Sequence, residues 1–551
     1  MAIWNRRSKQ AAVRAEAEGH NGGQKYNYIV FAGGSGAMAG VSAMHMYESL
    51  KMYNGRSDPL VHTVFETMDQ GGKVMETLSK MAVSENLWGS SAVLHKNLKL
   101  ADLIKNELDV KEHFYLKTLY PEWEKGSPFL KDTVIELDLG HGFHQQMSLG
   151  SFLTGLMFKC AMSSGEDQEC GYRAIIDRVL GATESDCVMV IFIGSLFGGE
   201  GRTVLSDMPE RLFERCVAEY CEKNNVSQAE AESMVKTRLK MAEIQIGPCY
   251  KYPKSEMLGN DVSDLAAGAL RNFPKETEDV LDRIYYFDSN TCPVQAEKSA
   301  TGAQQTNHHH FIEVLMFAAI KDFFSSDSAV FMTGNNKIYI PRYSIPSQSG
   351  KVQKITWDTL EPFDEYRKAL LTRLRFDAFL MYVIRPQIFN GSGQVIGADQ
   401  YARLTIVSKM YGMTGNKLKK KLNHDSDALE NLQQAIEKLA AIIRREEMFV
   451  EWLFDIAVTG KDWQMAAQNR QKEDASSDTE LVKITEILKL IRKDTVKLDT
   501  YDLDDLTRIE SNKIQTGRRL IDVYDTVKCR HNGQPRDILE IMKDFYDKCR
   551  C

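Results

Sequence analysis

Two glycine-rich stretches of this 551-residue chain each follow an apolar run and precede a helical pattern. The first lies in "IVFAGGSGAMAG" and the second in "IFIGSLFGGEGRT". Glycines let the backbone approach an anion, and a helix start presents unpaired N–H groups with a partial positive charge. Both stretches therefore predict a phosphate cradle. The candidate cradle residues are Gly34, Ser35, Gly36, Gly198, Gly199, Gly201, Arg202 and Thr203.

The second stretch also carries Glu200, an anion at the place where a phosphate would bind. A carboxylate close to a polyphosphate weakens binding unless it ligates Mg²⁺ or points away. Arg202 restores the charge balance if its guanidinium makes a forked contact to phosphate. Three cases stay open: a divergent but working nucleotide site, a site altered for another nucleotide, and a dead site kept as a scaffold.

The composition bounds the class of protein. The chain has 43% hydrophobic and 26% charged residues, as globular proteins do. Its net charge of −7 argues against nucleic acid or an anionic membrane as a partner. No stretch approaches the roughly 20 apolar residues that span a bilayer, and no secretion signal opens the chain. Because the ten cysteines are scattered without a CxxC pair, we expect reduced thiols and a cytoplasmic location.

Strand and helix patterns alternate around the two glycine-rich stretches, which predicts an α/β fold with a mostly parallel, doubly wound sheet. Strands are expected at 27–32 and 60–69 and in the runs "DCVMVIFIGSLF", "AEIQIGPCYKYP" and "VLDRIYYFDSN". A glycine turn at 33–36 precedes the first helix. The apolar run in "NHHHFIEVLMFAAIKDFF" predicts a central helix.

The patterns also predict how the chain is organised. A mobile basic arm is expected over 1–25 and a nucleotide-binding domain over 26–330, with a helical insertion at 205–243. A mixed α/β segment over 331–424 leads to a helical C-terminal region over 425–551.

Local signals define several elements more closely. Ser227 and Glu230 form a capping-box pattern at a helix start. Helix is expected at 361–385 and a strand-like piece at 403–408. A long helix with an apolar stripe at 3-and-4 spacing follows and is expected to stop at Gly460.

One interpretation of the first stretch is a dinucleotide fingerprint. Gly34 to Ala39 fits the looser form of GxGxxG that ends in alanine, and Glu66 or Asp69 would be the acidic residue after the second strand. This pattern favours a Rossmann-type NAD(P)-binding enzyme, although a tight turn without a ligand fits it equally well. Neither interpretation explains the second glycine-rich stretch, about 160 residues later.

The order of the loops resembles the FtsZ/tubulin family, and within it a divergent bacterial tubulin-like protein. "GGSG" corresponds to the family's first glycine turn, "ETMD" to its "NTD" tripeptide, and "GHGFHQQMSLG" to its "GxGxxPxxG" loop. "SLFGGEGRT" corresponds to the signature "GGGTGTG", and "RIYYFDSN" and "QQTNHHHF" follow in family order. The resemblance covers residues 27–325.

The resemblance implies that the chain binds GTP or GDP, with Mg²⁺ as a companion ion. It adds Asp69, Gly140 and Gly142 around the phosphates, and Asn290 and Asn307 at the base and ribose end. It also implies self-assembly, so the expected partners are a second copy of the chain or another protein. A scaffold or interaction protein with a vestigial nucleotide site is the third class that stays open.

The resemblance leaves enzymatic activity open. The family places acidic residues of an "NxDxxD" pattern just after the central helix, where "KDFFSSDSAVFMTGNN" offers only Asp322 and Asp327. Asp322 belongs to the predicted helix, so Asp327 is the candidate catalytic residue, and GTP hydrolysis is expected to be slow or absent. No metal site is expected at the three adjacent histidines of "NHHHF", because consecutive helical residues point about 100° apart.

Overall fold

The computed structural model of the chain describes most of two compact units. The described residues are 23–54, 61–66, 77, 88–93, 150–151, 154–155, 158, 171–248, 262–287, 308–325, 344–346, 352–354, 364–471, 484–485, 488 and 524–549. Unit 1 comprises Met1–Met44 and Ser57–Gln353, and unit 2 comprises His45–Arg56 and Lys354–Cys551. Within the described residues, no helix is both long enough and apolar enough to cross a membrane.

Unit 1 is built on a six-stranded sheet in which every neighbouring pair is parallel. Its spatial order is β3-β2-β1-β4-β5-β6. The strands are β1 (Lys25–Ala32), β2 (Val61–Glu66), β3 (Trp88–Val93), β4 (Cys187–Ser195), β5 (Leu239–Ile246) and β6 (Arg283–Phe287). The predicted parallel α/β sheet is therefore confirmed.

Helices connect or flank these strands. They are α1 (Gly33–Asn54), α2 (Gly171–Gly181), α3 (Gly199–Asn224), α4 (Gln228–Arg238), α5 (Val262–Arg271), α6 (Lys275–Val280) and α7 (Ile312–Ser325). The helical pair predicted at 205–243 begins earlier, at Gly199, and ends at Arg238, where β5 begins. It is the crossover from β4 to β5. The capping pattern is seen at its second helix, where Ser227 accepts the backbone N–H of Glu230.

The chain reverses its direction across the sheet between β1 and β4. It runs outward from β1 to β2 and β3, then returns to place β4 on the other side of β1. Connections between parallel strands are almost always right-handed, so α1 and the α3–α4 pair cover opposite faces. In register, Ala32 of β1 pairs with Gly194 of β4, so the two strands end level with each other.

The centre of the sheet forms the core of unit 1. Every residue of β4 is buried, as a continuous apolar run in a parallel sheet predicts, and every residue of β5 is buried although three of them are polar. The part of helix α1 in this unit is also buried on all sides from Gly36 to Met44, because small and apolar residues surround its axis. The glycine turn expected at 33–36 is the first turn of this helix instead: Gly33 adopts a φ of +66°, which removes the need for a separate turn.

Unit 2 is mostly helical. Its helices are the last part of α1, α8 (Asp364–Phe379), α9 (Arg385–Ile388), α10 (Thr405–Tyr411), α11 (Gly415–His424), α12 (Ser426–Gln471) and α13 (Ile538–Cys549). A π-helical turn (Leu380–Ile384) joins α8 to α9, and a 3₁₀ helix (Ala398–Arg403) precedes α10. In this unit β9 (Arg530–His531) and β10 (Gln534–Pro535) form a hairpin, whereas the two-stranded sheet of β7 (Ser344–Pro346) and β8 (Val352–Lys354) belongs to unit 1 except for Lys354.

Two local predictions in this part of the chain are wrong. The strand expected at 403–408 is helical, because Ile406 and Val407 are buried in the unit 2 core and Gly412 ends the turn in the left-handed conformation. Helix α12 does not stop at Gly460 but continues to Gln471. Gly460 is buried, and a glycine inside a helix costs only about 1 kcal/mol relative to alanine.

A buried ion cluster fixes the interior of unit 2. Arg373 is fully buried and donates to Glu446 over 2.7 Å, to Ser49 over 3.1 Å and to Glu48 over 3.3 Å. A buried charge is tolerated only when it is paired and hydrogen-bonded. The cluster therefore ties together α1, α8 and α12 within this unit.

Candidate functional site

The two predicted cradles lie side by side at one edge of the sheet. Because β1 and β4 are neighbours and end level with each other, the helices that follow them, α1 and α3, begin next to each other. This place is also the point where the chain reverses direction across the sheet. In open α/β sheets, ligands bind at such a point, outside the carboxyl ends of the strands.

In the first cradle, two residues are accessible and one is not. Gly34 and Ser35 are partly exposed, whereas Gly36 is buried. A Cβ on Gly36 would lie only 2.5 Å from the carbonyl oxygen of Ile193. Gly36 therefore lets α1 pack onto β4, and Gly34 and Ser35 are the part of this loop that can meet a ligand.

The second cradle is a short loop held against the sheet. The backbone N–H of Leu196 donates to the carbonyl of Ile246 over 2.9 Å. Gly198 then precedes α3 in an extended conformation and supplies no side-chain cap for the helix start. Arg202 lies half-buried in the first turns of α3, and burial lowers the pKa of its guanidinium. The loop thus combines helix N–H groups with a nearby cation.

Other glycines at this edge serve the packing of the two loops on each other. A Cβ on Gly201 would lie 2.7 Å from the backbone nitrogen of Ser195, and one on Gly33 would lie 3.1 Å from the backbone nitrogen of Gly201. Thr203 is buried, and its hydroxyl donates to the carbonyl of Gly199 over 2.6 Å. Gly201 and Thr203 are therefore buried and contribute to the packing of the two loops at this edge.

Glu200 also lies where the two loops pack on each other. Its side chain is only 5% exposed, and Oε2 lies 3.7 Å from the position that a Cβ on Gly33 would take. The carboxylate thus sits beside the first residue of α1 and in the first turn of α3, where helix starts favour negative charge. Glu200 therefore places a negative charge at an edge where the backbone N–H groups of two helix starts would otherwise attract an anion.

A cluster of polar side chains surrounds the start of α7. Glu313 is buried and accepts the hydroxyl of Ser42 and, over 2.9 Å, the backbone N–H of His310. Nδ1 of His309 lies 2.7 Å from the same Glu313 carboxylate. Burial alone would raise the pKa of Glu313, but the charge of His309 and these hydrogen bonds lower it below its ordinary value. This cluster places the first turn of α7 against α1.

A second buried carboxyl lies on β5. Glu243 accepts from the amide of Gln245 over 2.9 Å, and its Oε1 has no hydrogen-bond partner among the described residues. Complete burial, partly offset by that hydrogen bond, raises the pKa of Glu243 well above its ordinary value. Burial thus favours the neutral form of this carboxyl, which lies on the strand next to β4.

The remaining predicted positions divide into two groups. Asp322 is in α7, as expected, and accepts from Tyr285 over 2.7 Å and Arg283 over 2.9 Å. Six predicted site residues lie outside the described part of the chain. They are Asp69, Gly140, Gly142, Asn290, Asn307 and Asp327.

The sequence patterns did not predict that Ser42, Glu243 and Glu313 belong to this region. For Glu313 a signal was available, because a glutamate three residues after His310 is the spacing of a capping box. Ser42 and Glu243 stand inside apolar patterns, and only the neighbours that folding supplies distinguish them.

Two helix starts adjoin at this edge, and Gly34 and Gly198 are partly exposed there; exposed N–H groups at helix starts favour an anion such as phosphate. Among the described residues, no group of three or more His, Cys, Asp or Glu side chains could hold a metal. Mg²⁺ is often held by one or two carboxylates plus phosphate oxygens, and Glu200 would be the carboxylate in reach. In comparisons with known proteins, the chain matches no protein-family model and no curated protein sequence.

Proposed function

We propose that this chain is a guanine-nucleotide-binding protein of the FtsZ/tubulin kind, with the phosphates at the adjoining starts of α1 and α3. One observation carries the proposal. The two glycine loops are about 160 residues apart in the sequence, yet they follow adjacent strands, β1 and β4. These strands lie at the point where the chain reverses direction across the sheet. Two helix starts at such a point are a favourable place for a polyphosphate.

The start of α7 supports the guanine end of this proposal. The resemblance to FtsZ and tubulin implies that the first turn of the central helix recognises the base. Ser42, which contacts Glu313 of α7, lies eight residues after Gly34, or about 12 Å along α1. This span is comparable with the length of a nucleoside polyphosphate, so the start of α7 lies about one nucleotide length from the first cradle.

A dinucleotide is the second candidate ligand, because a specific observation favours it. The strand order 3-2-1-4-5-6 is the order of dinucleotide-binding folds, and the stretch from Gly34 to Ala39 fits their looser fingerprint. Both candidates use the same crevice. They differ in the base, and only the guanine nucleotide requires phosphate at the second cradle.

Identification of the bound nucleotide separates these candidates. The purified full-length chain is denatured, and the released nucleotides are separated by chromatography. Calorimetric titrations with GDP, GTP, ATP and NAD⁺ follow, with and without Mg²⁺. We expect GDP or GTP to bind. Preferential binding of NAD⁺ would favour the dinucleotide enzyme, and no binding of any nucleotide would leave a scaffold with a vestigial site.

A pair of variants tests the position of the phosphates. Gly199→Val covers the first N–H groups of α3, so the affinity for GDP should fall at least about tenfold. The control is Gly268→Val on α5, where an added Cβ meets no atom within 4 Å. If Gly199→Val loses its helical circular dichroism, Ser35→Phe in the first cradle takes its place. Unchanged affinity in a folded variant would remove that loop from the site.

We further propose slow or absent GTP hydrolysis and self-association with a second copy of the chain. The first follows from the family's "NxDxxD" pattern, which the sequence after α7 lacks. Phosphate release is measured across a series of protein concentrations, together with light scattering. Turnover per subunit that rises with protein concentration would contradict slow hydrolysis. An apparent molar mass from light scattering that does not change with protein concentration would contradict self-association.

A further inference from the structure

A groove lies at the opposite edge of the sheet from the candidate nucleotide site. It is formed by the first half of β1, the start of β2 and one face of α2, and its volume is about 330 Å³. Ala174, Arg178 and Gly181 recur at helical spacing along that face of α2. The volume is at the lower end of the range for small-molecule sites, roughly 300–1,000 Å³.

Aromatic rings form the sheet side of the groove. Tyr26 and Tyr28 point to the same face of β1, because strand residues alternate. His62 is the register partner of Tyr28 on β2, and their rings stack at 4.9 Å with an interplanar angle of 22°. The sheet side of the groove is therefore lined by aromatic side chains that are themselves packed in place.

A guanidinium completes the groove from the helix side. Arg178 lies over the ring of Tyr26 at 4.1 Å. Burial alone would lower the pKa of Arg178, but the neighbouring hydroxyls of Tyr28 and Tyr26 favour its charged form, so its pKa is raised. These contacts hold its plane in one orientation, which lowers the entropy that a ligand contact would cost.

The other charges near the groove are accounted for by their own partners. Asp177 accepts from Arg173 over 2.9 Å, and Asp186 accepts the backbone N–H groups of Thr183 and Gln24. Burial, reinforced by the charge of Arg178, lowers the pKa of His62 to about 4, so the imidazole is neutral at pH 7. The fixed positive charge that faces the groove is then that of Arg178.

We propose that this groove binds a small planar aromatic anion, with its ring against the tyrosine and histidine wall and its anionic group at Arg178. The aromatic lining favours an aromatic ring, and the oriented guanidinium favours a carboxylate or a similar anion. Small side chains on α2 leave the room that the ring needs. Gly181 is the position where this room can be removed, because an added Cβ meets no atom within 4 Å and the helix keeps its conformation.

A titration of the full-length chain with 2-naphthoate tests the proposal. Two further probes are 2-naphthamide, which keeps the ring without the charge, and cyclohexanecarboxylate, which keeps the charge without a planar ring. We expect 2-naphthoate to bind with a Kd below about 1 mM and each of the other probes to bind at least about tenfold more weakly. No binding of 2-naphthoate, or equal binding of the amide, would overturn the proposal.

Variants then assign the binding to this groove. Gly181→Leu fills it and should weaken 2-naphthoate binding at least about tenfold, whereas Gly268→Leu on α5 should leave the binding unchanged. If Gly181→Leu does not fold, Arg178→Gln replaces it and should cause a loss of the same size. Full affinity in the folded groove variant would place the binding elsewhere and overturn the assignment.

Discussion

At the carboxyl edge of the sheet, where β1 and β4 end, most groups that could meet a ligand are backbone groups, whereas at the amino edge they are side chains. The carboxyl edge depends on glycines. At Gly36, for example, an added Cβ would lie only 2.5 Å from the carbonyl oxygen of Ile193. The amino edge depends on stacked rings and Arg178, and its glycine, Gly181, borders open space. A site made of backbone therefore tolerates few changes in sequence, while a site made of side chains can be altered without loss of the fold.

The largest expected effect comes from Gly36→Ala. The new methyl group would meet the carbonyl of Ile193 in a buried joint, so the free energy of unfolding should fall by about 3 kcal/mol. Urea denaturation of this variant and of the parent measures the change. Gly268→Ala, at an open position of α5, is the control and should stay within about 0.5 kcal/mol of the parent. Parental stability of Gly36→Ala would mean that the two edges do not differ as described.

A pH effect of intermediate size belongs to the amino edge. The pKa of His62 is about 4 in the folded protein, against about 6.5 in an unfolded chain. Between these pH values the unfolded chain binds more protons, so the contribution of His62 to stability is lost as the pH falls. From pH 7 to 4.5, the parent should lose about 2 kcal/mol more than the variant His62→Phe, which keeps a ring on Tyr28.

Urea denaturation of both proteins at the two pH values measures this difference. Because all other titrating groups are shared, their effects cancel in the comparison. Equal losses in parent and variant would show that the imidazole is not held neutral against Tyr28.

The third prediction concerns the charge at the carboxyl edge and rests on the proposed function. Glu200→Gln removes a buried negative charge beside the starts of α1 and α3 while keeping the shape of the side chain. The affinity for GDP should rise about tenfold, because a charge near a phosphate acts through a medium of low dielectric constant. Calorimetry measures the affinity, with Glu214→Gln on the exposed face of α3 as the control. A weaker affinity that appears only with Mg²⁺ would identify Glu200 as a magnesium ligand instead.

The smallest expected effect has the opposite sign to the first. Gly181→Ala adds a methyl group at the end of α2 without a clash, and it reduces the conformational freedom of the unfolded chain. The free energy of unfolding should rise by about 0.5 kcal/mol. The same urea experiment applies, and a loss of more than about 1 kcal/mol would show that Gly181 is needed for the fold.

Much of the fold could be predicted because the responsible signals are local. The apolar run of β4, the glycine loops and the capping pattern at Ser227 each predict their own element from neighbouring residues. The strand predicted at 403–408 and the helix end predicted at Gly460 were wrong for the same reason. Residues with strand-like or helix-ending preferences are overruled when burial in a helical core stabilises the other conformation.

The candidate site could be predicted in part. The glycines that make two loops suited to phosphate are visible in the sequence, and so is the negative charge of Glu200. Their different tasks are not visible, because the need for glycine at Gly36 and Gly201 comes from backbone atoms that another strand or loop supplies. The groove at the amino edge was not predicted at all. Its tyrosines, histidine and arginine come from three segments and share no motif.

By itself, the sequence determined which segments are strands with buried faces, which strands are followed by glycine-rich loops, and the net negative charge of the chain. These properties depend on residue type and on spacing within a few turns of chain. The tertiary structure alone decided that β1 and β4 are neighbours, that Glu200 lies in the joint between their loops, and that Arg178 faces a wall of rings. Such contacts join residues far apart in the chain, and their free energy exists only once the sheet has formed.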